Sequence, residues 1–135
     1  MARKPEQLLW DRKRRALPRA IHIERIENLV GAGTPDQCAI YCGRVTWMED
    51  KIAHTPKRSS TRLQFNHPLE PEQCNWHLNW YQKGGTSIIV IDVIARGIFM
   101  VPGFAADEVN EMTAESIARY AATWTSIDRY LRNHR

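Results

Sequence analysis

The chain has 135 residues and a formal net charge of +4 at pH 7, with 43% hydrophobic and 25% charged residues, the balance of an ordinary soluble globular protein with enough length to bury a core. No apolar run approaches the ~20 residues of a bilayer span, and Met1-Ala2-Arg3-Lys4-Pro5 is charged without the apolar segment of a secretory leader behind it. The basic excess favours an anionic partner, and the odd count of 3 cysteines suggests small reduced thiols in an intracellular setting.

Residues 1–135 are expected to form one domain, with a core over about 5–101 and a C-terminal helical region over about 105–133. Pro5 suits a first helical position, where its missing donor costs nothing, and predicts a helix over 5–17 stopped by Pro18. Ile21-His22-Ile23-Glu24-Arg25-Ile26 alternates as a strand, with Ile21, Ile23 and Arg25 on one face. A turn at Gly31-Ala32-Gly33 leads through Thr34-Pro35-Asp36 into strands over 37–42 and 45–51, joined by a hairpin turn at Gly43-Arg44. The polar segment 52–69 reads as a long loop, of a length that in compact domains is often functional. Pro71-Glu72-Gln73 opens a second helix running to residue 83 and closed by Gly84-Gly85. The β-branched run 86–94 has the signature of a strand covered on both faces, and Ala95-Arg96-Gly97 turns it into a short partner over 98–101. From Thr113 onward, Ile117, Tyr120, Ala121, Trp124, Ile127 and Leu131 recur at helical spacing and define one apolar face, packed on the sheet or in a dimer contact. Helix, three strands, helix, strand pair, helix is the order of an α/β sandwich with a small mixed sheet.

Side chains two apart on a strand point the same way, so Glu49 and Lys51 share a face with Val45 and Trp47. Pro35-Asp36, entering the neighbouring strand, brings Asp36 beside them. Two carboxylates and an ammonium converging at a sheet edge make a hard-cation site, suited to Mg²⁺ or Mn²⁺, with a positive group next to it. That is equipment for metal-assisted phosphodiester hydrolysis. Two basic blocks, Arg12-Lys13-Arg14-Arg15 and Lys57, Arg58 and Arg62, are the candidates for DNA phosphate contacts. His22, His54, His67, His77 and His134 with Cys38, Cys42 and Cys74 show no paired Cys-x-x-Cys or His-x-x-x-His spacing, which argues against zinc. Trp76, Trp80 and Tyr81 suit base stacking or, as helix-spaced aromatics more often do, a core or an interface.

With these elements placed, the chain resembles the PD-(D/E)XK nuclease superfamily, and within it the virus-type replication-repair nucleases (VRR-NUC). The likeness is carried by Gly33-Thr34-Pro35-Asp36, Glu49-Asp50-Lys51, Pro71-Glu72-Gln73 with Trp76 and Gly84-Gly85, and Glu6 on the first helix. It covers roughly residues 5–94 and leaves the tail from Ala95 unmatched. It implies a restriction-endonuclease-like three-layer sandwich, with Asp36 and Glu49 as metal ligands and the backbone carbonyl of Asp50 as a third. Glu6 would complete the cation site or bind a second ion through water, with Glu24 as second choice. Glu24 and Glu27 lie on one strand, so at most one of them would face the site. Lys51 would orient or deprotonate the attacking water, or stabilise charge on the phosphorus, and Gln73 would hold Lys51 or a phosphate. Glu70, before Pro71, stands where Ser or Thr would be the more usual cap. The implied activity is Mg²⁺- or Mn²⁺-dependent resolution of branched DNA, four-way junctions above all, by a homodimer, in a host cytoplasm if the source is viral. A restriction- or repair-type nuclease acting on duplex or flap DNA, and a non-catalytic DNA-binding protein on the same fold, are the alternatives.

Overall fold

A computed structural model describes residues 4–26 and 33–133. Helix α1 (Pro5–Ala16) begins on its proline and ends at Leu17, whose amide bonds to the Lys13 carbonyl. Strands β1 (His22–Arg25), β2 (Gln37–Tyr41) and β3 (Arg44–His54) form an antiparallel meander. A short β4 (Gln64–Phe65) pairs with the end of β3. Helix α2 (Pro71–Gln82) crosses to β5 (Ser87–Val93), which lies parallel to β3, and β6 (Gly97–Pro102) returns antiparallel to β5. The sheet runs β1-β2-β3-β5-β6, with β7 (Ala121–Ala122) on its far edge. It is the mixed sheet, with helices on both faces, that the element order predicted.

Period-two alternation splits the core in two. Ala53, Ile89, Ile91 and Val93 face α2, together with Phe99, Val109, Met112 and Ile117. Met48, Ile52, Ile88 and Val90 face α1, together with Leu9, Leu17, Ile127 and Leu131. Every residue of β5 is buried, as its unbroken apolar run requires.

Three expectations change. The hairpin turn is Cys42-Gly43, one residue earlier than expected, because Tyr41 pairs with Arg44. Both turn residues have positive φ, 53° and 74°, the left-handed pair that matches strand twist. The segment 52–69 is less of a loop than its composition implies: β3 continues to His54, β4 interrupts the remainder, and the Leu63 amide bonds to the Met112 carbonyl at 2.8 Å. The apolar stripe after Thr113 belongs to more than one helix. A 3₁₀ segment (Gly103–Glu111) precedes α3 (Ala114–Ile117), a 3₁₀ turn (Ala118–Tyr120), β7 and α4 (Trp124–Asn133). Ile117 and Tyr120 pack on the α2 side of the sheet, whereas Trp124, Ile127 and Leu131 pack on the α1 side. The break is written as two Thr-x-x-Ser caps. Ser116 and Ser126 amides bond to the Thr113 and Thr123 hydroxyls, each at 3.0 Å, and both serines return a bond to the threonine amide. Among the described residues, no helix is long and apolar enough to cross a membrane.

Candidate active site

The β2–β3 register pairs Gln37 with Met48, so one step further along Asp36 stands opposite Glu49. Directly opposed residues share a face of the sheet. Asp36, Glu49 and Lys51 therefore all look toward α2, whereas Gln37 and Asp50 look toward α1. Glu49 is only 1% exposed, and Asp36 lies at the exposed strand entrance. The two carboxyl groups are hydrogen-bonded to each other. Burial first, then the bond to Asp36 and its charge, push the Glu49 carboxyl up to about 9, against the opposing pull of the Lys51 ammonium. Glu49 thus keeps its proton near neutral pH, and its Oε1 is buried without a hydrogen-bond partner.

Lys51, itself buried, donates to Gln73 Oε1 at 3.4 Å. The same oxygen accepts the Glu70 amide at 2.8 Å. Gln73 therefore holds the start of α2 and touches Lys51 at once. Gly33 lets that helix end come close. Its φ is +88°, and a Cβ there would lie 2.2 Å from the Glu72 carbonyl oxygen, so the turn ahead of Pro35-Asp36 sits directly against the start of α2.

His77 was visible in the sequence only as one of several histidines. It is fully buried, its Nδ1 lies 2.7 Å from Ser87 Oγ, and its Nε2 has no partner. Burial, and then the charge of Lys51, depress it to about 4, so the ring is neutral at physiological pH. Trp76 stacks on Trp80 with ring centres 4.9 Å apart, and both meet Trp47 edge-on. These half-buried indoles pack on one another between α2 and β3, outside both core clusters.

Asp50 turns its carboxylate away from Glu49. Its oxygens accept Lys13 Nζ at 2.5 Å and Gln37 Nε2 at 2.7 Å, and Lys13 also donates to Gln37 Oε1 at 2.6 Å. Only the Asp50 backbone carbonyl remains for the Glu49 side. Its direction follows from Ile52, whose carbonyl accepts the Asn66 amide beyond the β3 edge. Carbonyls two apart point the same way. Asp50's therefore enters the gap between the last β2 pair, at Met48, and the first β4 pair, at Ala53.

Burial and ion pairing divide the basic blocks. Lys13 is 0% exposed and cannot reach a DNA phosphate. Arg12 is ion-paired to Asp92, and Arg62 to Glu111. Arg14, Arg15, Lys57 and Arg58 are exposed.

Glu6 lines a cleft of about 400 Å³ with Trp10, Arg25, Ile26, Asp36, Gln37 and Asp50, and lies 3.9 Å from His67 Nε2. Glu24 is not part of that cleft and lies 2.7 Å from His22. Glu27 and His134 fall outside the described residues. Among the described residues, no three His, Cys, Asp or Glu side chains gather to hold a metal ion, and Cys38, Cys42 and Cys74 are unpaired thiols. A Mg²⁺ or Mn²⁺ ion, which keeps several waters and takes one or two carboxylates, needs less. The two touching carboxyls, the orphaned Glu49 oxygen and the inward Asp50 carbonyl fit it.

No family model and no curated protein matches this chain. Among solved structures, it is similar to a Holliday junction resolvase of the archaeal hyperthermophile Archaeoglobus fulgidus, at 13% identity and a TM-score of 0.47, over 73% of this chain and 74% of that one.

Proposed function

We propose that the chain is a Mg²⁺- or Mn²⁺-dependent, structure-selective endodeoxyribonuclease of the PD-(D/E)XK type, a phage-type Holliday junction resolvase that cuts four-way junctions as a homodimer. The observation that carries this reading is the contact between Asp36, at the entrance of β2, and Glu49 on β3, with Lys51 two residues on along the same face. A binding-only protein gains nothing from crowding two acids where a phosphate must approach. A bound divalent ion would supply positive charge against the scissile phosphate and lower the pKa of a water that it holds. Asp36, Glu49 and the Asp50 carbonyl are the groups that would hold it. Lys51, steadied by Gln73, orients the incoming water or donates to the non-bridging phosphate oxygen where negative charge grows. The neutral His77 leaves the Lys51 ammonium without a competing charge on that side. Glu6, across the cleft from Asp36, reaches the ion or the attacking water through an intervening water.

Recognition of a branched substrate rests on backbone and shape. Symmetric cutting of two strands calls for two copies of the site. The test is cleavage of a labelled four-way junction beside matched linear duplex, with Mg²⁺, with Mn²⁺ and with chelator, mapping the cuts. Paired symmetric nicks that need the ion, and that vanish in Asp36→Asn while junction affinity is kept or raised, are the expected result. Preference for linear duplex at a defined sequence would move the protein to the restriction or repair class. An inert wild type on every branched substrate would favour a DNA-binding role.

A further inference from the structure

The cleft into which Asp36 opens has a second wall that neither the acids nor the basic blocks explain. Trp10, one turn after Glu6 on α1, and Arg25 of β1 line it together with Glu6 and Asp36. The Arg25 guanidinium carbon lies 4.9 Å from the Trp10 ring centre, within cation–π range. Arg14 lies 5.8 Å from the same ring. The β1–β2 register pairs Arg25 with Gln37, the residue after Asp36, so this guanidinium lies on the α1 face of the sheet, next to the strand entrance at Asp36, while Glu49 and Lys51 lie on the other face.

Arg25 differs from the arginines that are held in ion pairs. Arg12, Arg62, Arg119 and Arg132 each pair with a carboxylate. Among the described residues none pairs with Arg25, although Glu6, Asp36 and Asp50 line the same cleft. The Asp50 charge is already met by Lys13. Arg25 is thus exposed and steadied by an indole face, and its hydrogen-bond fork is free for whatever enters. An anionic strand approaching Asp36 and Glu6 meets two acids, and a cation on the entering side offsets them. A guanidinium held flat matches the oxygens of a phosphodiester two at a time.

We propose that Trp10 and Arg25 form a phosphodiester-binding subsite that seats the DNA strand next to the phosphate to be cut. This rests on the nuclease reading for the identity of the cut phosphate, but its test does not need cleavage. Binding of a fluorescent four-way junction is measured by anisotropy in chelator from 50 to 200 mM salt, an interval over which phosphate contacts weaken measurably. Arg25→Gln should weaken binding roughly tenfold and lower the slope of log affinity against log salt by about one. Arg25→Lys should keep the slope and lose affinity several-fold, because an ammonium supplies the charge without the planar fork. Trp10→Leu should keep the slope and weaken binding, since the cation stays but is no longer held in place. If Trp10→Leu does not fold, the two substitutions of the exposed arginine decide the matter alone. Affinity and slope unchanged in Arg25→Gln overturn the subsite even if the wild type cleaves junctions. Binding that depends on Arg25 in a protein that never cleaves overturns the nuclease reading and keeps the subsite. A wild type that binds no junction overturns both.

Discussion

Replacing Glu49 with glutamine should stabilise the metal-free protein while ending its cleavage. In the unfolded chain Glu49 ionises at its ordinary 4.5, whereas in the fold its carboxyl is pushed up to about 9. Between those values the folded state holds a proton that the unfolded state has released, so stability falls as pH rises through that window, by about 1.4 kcal/mol per pH unit. At pH 7 the deficit is about 3 kcal/mol. Glutamine has no such deficit. It keeps the shape, and its Nε2 can donate to Asp36 where the protonated carboxyl does now. Urea unfolding of both proteins in chelator, from pH 6 to pH 9, reads the difference directly. The variant should be the more stable, by a margin that grows with pH. Saturating Mn²⁺ should then raise the wild type, by about 2.7 kcal/mol at a hundred times its dissociation constant, and leave the variant where it was. A variant no more stable than wild type at pH 8, with a gap independent of pH, would refute the claim that a buried, proton-holding carboxyl lies at the centre of the site.

Two further outcomes follow from the supports of that site. Lys13→Met strands the Asp50 carboxylate behind the sheet and should cost about 3–5 kcal/mol in urea unfolding, and adding Asp50→Asn should recover more than half of the loss. Gly33→Ala puts a Cβ against the start of α2 at a φ of +88°, so it should cost roughly 2 kcal/mol; in conditions where it stays folded, its cleavage rate should fall more than its junction affinity.

Local rules made much of the frame legible. Proline at the first helical position marked α1 and α2, and an unbroken β-branched run marked the buried β5. Alternation alone places Glu49 and Lys51 on one face, because it needs no knowledge of what lies across the sheet. What depends on distant partners was hidden. Lys13 reads as one more cation in a basic block, and only the fold brings Gln37 and Asp50 to its ammonium. His77 looks like any helix histidine until β5 supplies Ser87. The pairing of Trp10 with Arg25 joins α1 to β1 across a gap in sequence that no periodicity spans. The split of the C-terminal stripe was legible in principle: Thr113-x-x-Ser116 and Thr123-x-x-Ser126 are start signals inside a pattern that reads as continuous when apolar spacing alone is followed.

The most direct test is Mn²⁺ binding to the protein without DNA, followed by calorimetry on the wild type and on Asp36→Asn. The account predicts that the wild type takes up at least one ion per chain, and that the substitution weakens uptake by a hundredfold or more, about 2.7 kcal/mol. Equal uptake by the two proteins, or none by the wild type at millimolar Mn²⁺, would contradict it.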